Sequence, residues 1–326
     1  MIRARVVGTG HFLPEKVLTN FDLEKITDTS DEWIRQRTGI HQRHVVAPGE
    51  GASDLGIQAG RRALEDAGMS ASDIDLVICC TTTADYIFPA TACVVQNALG
   101  MATTPSFDIN AACSGFMYGL ATSDSFIRSG MYKNILLIGT EVASNRMNFQ
   151  KRDTAVLFGD GAGAMVLSAS KGDRGVLTTH LWSDGSGREI LWFPAGGSKT
   201  PITRENIDTD VNTINMKGKE LFKRAVVEFV AAVQVALEAA NVSIDQIDLF
   251  IPHQANQRII SAVGERLGLP EEKVFSNIDK VANCTAGSIP LAFDQAVKQG
   301  LLKEGALVLL SSFGAGLTWA SAVVRL

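Results

Sequence analysis

The sequence lacks most of the features that would place a protein outside a reducing compartment or on a nucleic acid. It has only five cysteines in 326 residues: Cys79, Cys80, Cys93, Cys113 and Cys284. The number is odd and no pair is spaced C-x-x-C, which excludes a complete disulfide framework. Neither H-E-x-x-H nor any paired Cys/His ligand spacing occurs, so no metal is expected. No secretory leader stands at Met1-Ile2-Arg3-Ala4-Arg5, and the expectation is a cytoplasmic protein. Cations are not in excess: 30 Lys and Arg against 35 Asp and Glu give a net charge of −5, which argues against general nucleic-acid binding. A long uncharged apolar run is missing too. The most apolar stretch, Ala225 to Ala240, is interrupted by Glu228, Gln234 and Glu238 and reads as an amphipathic helix, not a membrane span. What is present is a globular composition, 46% hydrophobic, in a chain long enough for one large domain or two fused halves.

The chain contains a buried repeat. Ala63-Leu64-Glu65-Asp66-Ala67, Ser70 and Ile74-Asp75-Leu76-Val77-Ile78 return as Ala236-Leu237-Glu238-Ala239-Ala240, Ser243 and Ile247-Asp248-Leu249-Phe250-Ile251. The offset is 173 residues, and nine of the sixteen positions from 63 to 78 are identical. Such density implies duplication of a helix-turn-strand unit, with halves at 1–172 and 173–326. Each half alternates helices with apolar strands, so parallel sheets sandwiched by helices are expected, an α/β fold. Each half also closes on a glycine-rich turn, Gly159-Asp160-Gly161-Ala162-Gly163 and Phe313-Gly314-Ala315-Gly316. Neither has the G-x-G-x-x-G spacing, and strands follow both, so they are read as close backbone approaches and not as nucleotide loops.

Three residue types capable of chemistry fall at strand or helix ends. Cys113 follows the strand end Phe107–Ile109 and precedes the helical run from Gly115 to Ile127. There, unpaired N–H groups and the helix dipole favour thiolate, and the residue is either a nucleophile or a small core side chain. His253 lies at the end of the repeated strand Leu249–Ile251, where the first half has Cys80, and is either structural or placed for a ligand. Asn283 precedes a second helical run and, taken alone, reads as a helix cap. A cysteine, a histidine and an asparagine from three turns suggest acyl transfer through a thioester.

Beyond these residues, the motifs Gly8-Thr9-Gly10, Asp31-Glu32-Trp33-Ile34, Arg37-Thr38-Gly39-Ile40, Ala111-Ala112-Cys113-Ser114-Gly115-Phe116, Phe158-Gly159-Asp160-Gly161-Ala162-Gly163, Pro252-His253-Gln254-Ala255-Asn256 and Phe313-Gly314-Ala315-Gly316 with Thr318-Trp319 run over nearly the whole chain. They resemble β-ketoacyl-acyl-carrier-protein synthase III, the initiating condensing enzyme of bacterial fatty-acid synthesis in the thiolase superfamily. The resemblance implies a thiolase-like five-layer αβαβα sandwich of two halves and a homodimer. It implies condensation of a short acyl-CoA with malonyl-acyl carrier protein, with CO2 released and no cofactor, metal, membrane or nucleic acid involved. Cys113 then resembles the acylated nucleophile, and His253 and Asn283 the pair that binds the malonyl thioester carbonyl. The backbone N–H groups of Cys113 and Ala315 resemble the oxyanion hole. Trp33, Arg37 and Arg152 match the CoA nucleotide site, and Gly218, Phe222 and Asn256 the pantetheine tunnel. Gln254, Ala255, Asn256, Gln257 and Arg258 match the carrier-protein face, with Lys219 and Lys223 nearby. Phe88, Ala143, Leu157 and Phe158 match the acyl pocket, Phe88 reaching it from a second subunit. Cys284, Gly287 and the segment Trp182 to Thr203 depart from the pattern. A starter-unit or acyl-transfer enzyme of secondary metabolism with this fold is the alternative.

Overall fold

The apolar runs and their punctuation become thirteen strands and ten helices in a computed structural model that describes residues 1–326. The strands are β1 (Ile2–Phe12), β2 (Lys16–Thr19), β3 (Gln42–Val45), β4 (Leu76–Cys80), β5 (Ser106–Ile109), β6 (Asn134–Glu141), β7 (Gly161–Lys171), β8 (Gly175–Ser183), β9 (Leu191–Trp192), β10 (Asn215–Met216), β11 (Leu249–Pro252), β12 (Leu307–Gly314) and β13 (Thr318–Arg325). The helices are α1 (Asn20–Leu23), α2 (Asp31–Thr38), α3 (Ala52–Ala67), α4 (Thr91–Ala98), α5 (Gly115–Ser129), α6 (Arg152–Ala155), α7 (Gly218–Ala240), α8 (Gln257–Leu267), α9 (Ile278–Val281) and α10 (Ser288–Lys298).

Five strands form one sheet in the order β1-β7-β6-β4-β5, and four form another in the order β11-β12-β13-β8. Period-2 alternation gives each strand two faces. Leu76, Ile78, Ile135 and Leu137 of the first sheet join Leu249, Ile251, Val308 and Leu310 of the second around Phe116 and Leu120 of α5 and Phe293 of α10. Val77, Leu136 and Ile138, on the opposite face of the first sheet, pack on α3 and α4. Phe250, Leu309 and Val323, on the opposite face of the second, pack on α7 and α8. The layers therefore run helix, sheet, helix, sheet, helix. Phe116 and Phe293 in the middle layer are fully buried, and truncating either to alanine would cost about 3–5 kcal/mol.

The sheets are mixed, not wholly parallel as the alternation of helices and strands had suggested. β6, β4 and β5 are parallel, but β7 runs antiparallel to both β6 and β1. In the second sheet β11 and β12 are parallel, whereas β13 is antiparallel to β12 and β8. Only Ala315, Gly316 and Leu317 separate β12 from β13, too few residues for the crossover a parallel pair needs.

The 173-residue offset reaches well beyond the repeat first visible in the sequence. It carries the start of β4 onto β11, the whole of β6 onto β12, and the start of α5 onto that of α10. The 3₁₀ turns Ala112–Ser114 and Thr285–Gly287 coincide as well. Their first residues share a left-handed backbone, φ 48° at Ala112 and 42° at Thr285. The first sheet ends at Lys171 with β7, and the second begins at Gly175 with β8.

Candidate active site

Cys113 lies in the 3₁₀ turn that leads into α5. Gly314, at the end of β12, presses against it: a Cβ on Gly314 would stand 2.7 Å from Cys113 Cβ and 2.9 Å from its nitrogen. That approach brings the Ala315 N–H near the sulfur, where it and the N–H of Cys113 itself favour the thiolate. The thiol is nevertheless pushed up to about 12, mainly by burial and secondarily by the charge of Glu141. The thiolate expected from the turn position is thus not the resting state, because desolvation outweighs two N–H donors.

His253 continues the β11 alternation, so like Leu249 and Ile251 it faces the middle layer. It is 1% exposed, and neither ring nitrogen has a hydrogen-bond partner. Burial lowers its pKa to about 3, leaving a neutral imidazole with one N–H to donate. Asn283 is held at both ends of its backbone: its N–H donates to Leu157 O (3.0 Å), and its carbonyl accepts from Gly159 N–H (3.0 Å). Its Oδ1 accepts from Thr285 N–H at 2.8 Å. The helix-cap reading does not hold, since Cys284 and Gly287 occupy the cap positions of the 3₁₀ turn and of α10; the Asn283 Oδ1 instead closes a turn on Thr285 N–H and leaves the Nδ2 group as a donor.

These three side chains line one cavity of about 370 Å3. Its walls are mostly apolar: Leu157, Phe158, Leu191, Met216, Phe222, Ile259 and Phe313 among others. Trp33, Arg37, Gly218 and Asn256 line it too, as does Lys219. Ser30 Oγ caps α2 by accepting from Trp33 N–H at 3.1 Å, which sets the indole on the helix's first turn. The Arg37 and Arg152 guanidiniums lie 6.0 and 4.4 Å from its ring centroid. Asn256 caps α8 through Arg258 N–H (2.9 Å) and donates to Arg37 O (3.1 Å), joining the α2 and α8 ends of the mouth. The arrangement offers a thiol under two N–H donors, two further donors opposite no charge, and a narrow apolar approach rimmed by cations and an indole. It suits a thioester on a long, thin arm ending in an anion.

Two family descriptions match the chain: 3-oxoacyl-[acyl-carrier-protein] synthase III over residues 107–185, and the C-terminal part of the same family over residues 237–326. The β-ketoacyl-[acyl-carrier-protein] synthase III of Caldanaerobacter subterraneus subsp. tengcongensis is 48% identical over 324 residues, 99% of this chain and 98% of that one. The chain belongs to the synthase III family. The crystal structure of the Aquifex aeolicus VF5 3-oxoacyl-[acyl-carrier-protein] synthase III matches with a TM-score of 0.93 and 44% identity, covering 99% of this chain and 100% of that one. The priming β-ketosynthase of the R1128 polyketide pathway matches with a TM-score of 0.92 and 32% identity, covering 99% and 96%. The fold is accordingly the thiolase-like sandwich described above.

Within this synthase III chain, not every residue expected at the site lies where it was expected. Gln254 cannot meet a partner. It is fully buried, its Nε2 donates to Pro252 O and Phe275 O, and its Oε1 accepts from Asn277 N–H and Ser276 Oγ. The resemblance placed it on the carrier-protein face, but its amide instead satisfies groups around β11. Gln257 is tied to Ser261 and Ser276, which leaves Arg258, its guanidinium 5.8 Å from the Phe222 ring centroid, as the exposed cation of that face. Ala255 lines the cavity instead. Leu157 and Phe158 line it also, while Ala143 is buried in the cluster behind them. Phe88 is 84% exposed and lines no part of its own chain's cavity.

The departures have structural reasons. Gly287 abuts Gly161 O, where a Cβ would stand at 2.7 Å, and the buried Cys284 thiol donates to Val281 O at 3.5 Å. Leu191, in the segment from 182 to 203, supplies cavity wall. Sequence reasoning missed Glu141, the buried carboxyl that adds to burial in raising the Cys113 thiol. Its signal was the 173-residue offset, which pairs it with Gly314.

Proposed function

We propose that the protein condenses a short acyl-CoA primer with malonyl-acyl carrier protein, yielding a β-ketoacyl-acyl carrier protein, CoA and CO2, the step that initiates fatty-acid synthesis. The carrying observation is that a buried thiol and two uncharged donors, His253 and Asn283, face one cavity. Cys113 adds to the acyl-CoA carbonyl, its proton leaving with the sulfur as CoA-SH. The N–H groups of Cys113 and Ala315 stabilise the oxyanion. With the acyl group on Cys113, malonyl thioester loses CO2, and the enolate oxygen takes hydrogen bonds from neutral His253 and Asn283 Nδ2. The enolate carbon then attacks the acyl carbonyl, and Cys113 leaves as thiolate and is reprotonated. Donors aimed at a developing charge in a dry site are each worth about 10²–10³ in rate. Both substrates are thioesters, and the chemistry needs no metal or other cofactor.

Trp33 and its two arginines suit an adenine ring and phosphates, and Arg258 with Lys219 and Lys223 suits an acidic carrier protein. A homodimer is supported by an open edge and an apolar tip. β5 is the edge strand of its sheet, and Asp108 on it binds the N–H groups of Thr91 and Ala92 at 2.7 and 2.8 Å. The preceding segment, with Ile87 93% exposed beside Phe88, therefore departs next to that edge, which supports its reaching a second copy's acyl pocket. The five unpaired cysteines suit the cytoplasm, and no helix is long and apolar enough to cross a membrane.

The test separates the half-reactions. Cys113→Ala should abolish acylation, seen by intact mass after exposure to acetyl-CoA. His253→Ala and Asn283→Ala should acylate normally but release labelled CO2 from malonyl carrier protein at least 10²-fold more slowly. Acylation of Cys113→Ala, or loss of acylation in either other variant, contradicts the assignment. The likeness to the polyketide priming synthase favours a second reading, starter-unit synthesis for a secondary metabolite. Deletion of the gene, followed by a growth requirement for fatty acids or none, separates the two.

A further inference from the structure

We propose that Arg43 is a positioning residue of the active site, a buried cation that ties the mouth helix α2 to the segment holding Asn283. The inference rests on the role proposed above for Asn283.

Arg43 is fully buried, and its hydrogen bonds all go to neutral oxygens. Nη1 donates to Asn20 Oδ1 at 2.8 Å and Leu18 O at 3.3 Å, and Nη2 donates to Val156 O at 2.9 Å. Burying a cation on neutral oxygens is unfavourable, and an apolar side chain would fill the same space. The position therefore asks for a reason beyond packing. The fork of the guanidinium supplies one, because it fixes two segments at a set separation.

One prong leads to the mouth. Asn20, itself fully buried, passes the link on through Nδ2 to Asp31 Oδ1 (2.9 Å) and Ile40 O (2.8 Å). Asp31 opens α2, which carries Trp33 and Arg37. The other prong leads to the enolate side. Val156 O immediately precedes Leu157, whose carbonyl receives the Asn283 N–H, and Gly159 N–H returns to Asn283 O. Gly159 is packed on Arg43 itself, since a Cβ there would lie 3.0 Å from Arg43 Cβ. The Cys113 turn and Gly314 stand on other elements, the start of α5 and the end of β12. Loss of Arg43 should therefore disturb the Asn283 side and the mouth while sparing the nucleophile.

Arg43→Gln and Arg43→Lys test this, with Asn20→Ala severing the same link from the other side if Arg43→Gln does not fold. Three rates are compared on variants whose circular dichroism shows them folded: alkylation of Cys113 by iodoacetamide, acylation by acetyl-CoA, and single-turnover CO2 release from malonyl carrier protein by the acylated enzyme. Misplacing a catalytic group by about 1 Å costs on the order of 10²-fold. Arg43→Gln should alkylate within about twofold of wild type yet release CO2 about 10-fold or more slowly. Arg43→Lys, able to reach one segment at a time, should fall between. Parallel loss of all three rates would make Arg43 merely structural, and unchanged CO2 release would remove it from positioning; either result overturns the inference. Asn283→Ala is the control. Normal CO2 release there would fault the role of Asn283, whereas impaired release there with normal release in Arg43→Gln would fault the role of Arg43 alone.

Discussion

Replacing His253 with glutamine should make the protein more resistant to acid than the wild type. The imidazole is buried without a partner on either nitrogen, and burial lowers its pKa to about 3. In the unfolded chain it titrates near 6.5. Between these values the unfolded state binds one more proton than the folded state, so stability falls as pH falls. His253 imposes no such cost above about pH 6.5; the loss begins there and is complete near 3. At pH 5 the interval is about 1.5 units, and at 1.36 kcal/mol per unit the loss is about 2 kcal/mol. Glutamine occupies similar space and does not titrate. Urea unfolding followed by circular dichroism at pH 7.5 and pH 5, at one protein concentration, should show His253→Gln losing about 2 kcal/mol less than wild type. The catalytic counterpart is a malonyl decarboxylation rate in the wild type with no inflection near pH 6.5. Equal losses of stability, or an acid limb at 6.5 that vanishes in His253→Gln, would mean that the ring charges in the folded protein and is not a neutral donor.

Gly314→Ala should reduce Cys113 acylation at least 10²-fold, because the added methyl lies 2.7 Å from Cys113 Cβ and must displace the nucleophile or the Ala315 N–H. Its thermal unfolding should reveal an overpacking cost of about 1–3 kcal/mol; full acylation rates would show that the close approach does not set the oxyanion geometry. Phe88→Thr should move the kcat/KM preference from acetyl-CoA towards butyryl- and octanoyl-CoA, each newly accommodated CH2 contributing about 0.8 kcal/mol. An unchanged profile in a variant whose mass by light scattering equals that of the wild type would remove Phe88 from the end of the acyl pocket.

Local signals made much of this molecule legible. Ser30 and Gly39 bracket α2, and Gly39 has the left-handed φ of 78° that ends a helix. Nine identities in sixteen positions exposed the duplication, and the repeated strand placed His253 at its C-terminal end. What escaped depends on contacts distant in sequence. The antiparallel return of β7 and β13 is invisible to periodicity, which reports faces but not direction. The protonation of Cys113 was misjudged because the favourable N–H groups are local while desolvation comes from the whole middle layer. Gln254 was assigned to the carrier-protein face by resemblance alone, yet four hydrogen bonds around β11 and Phe275 satisfy it internally. Trp33 and Arg152 meet across more than a hundred residues, and only family resemblance put them together in advance.

The duplication also bears on why the proposed chemistry has one centre and not two. Both halves retain the same turn, in which an asparagine Oδ1 accepts the N–H two residues on: Asn110 from Ala112 at 3.3 Å, and Asn283 from Thr285 at 2.8 Å. Each turn feeds a middle-layer helix, α5 or α10. Three paired positions then differ. Cys113 corresponds to Ala286, Cys80 to His253, and Glu141 to Gly314. In the second sheet Gly314 has no side chain, and Cys113 fits against its backbone. In the first sheet the corresponding position holds the buried Glu141 carboxylate, engaged by Thr82 N–H, Thr82 Oγ1 and Thr83 Oγ1 at 2.9, 2.9 and 2.7 Å. A carboxyl so fixed occupies the position that, in the other half, Gly314 leaves open for Cys113. The same position, emptied in one half and filled by a buried carboxyl in the other, makes the symmetric scaffold one-sided. Cys113 from the first half is thereby left facing His253 and Asn283 from the second.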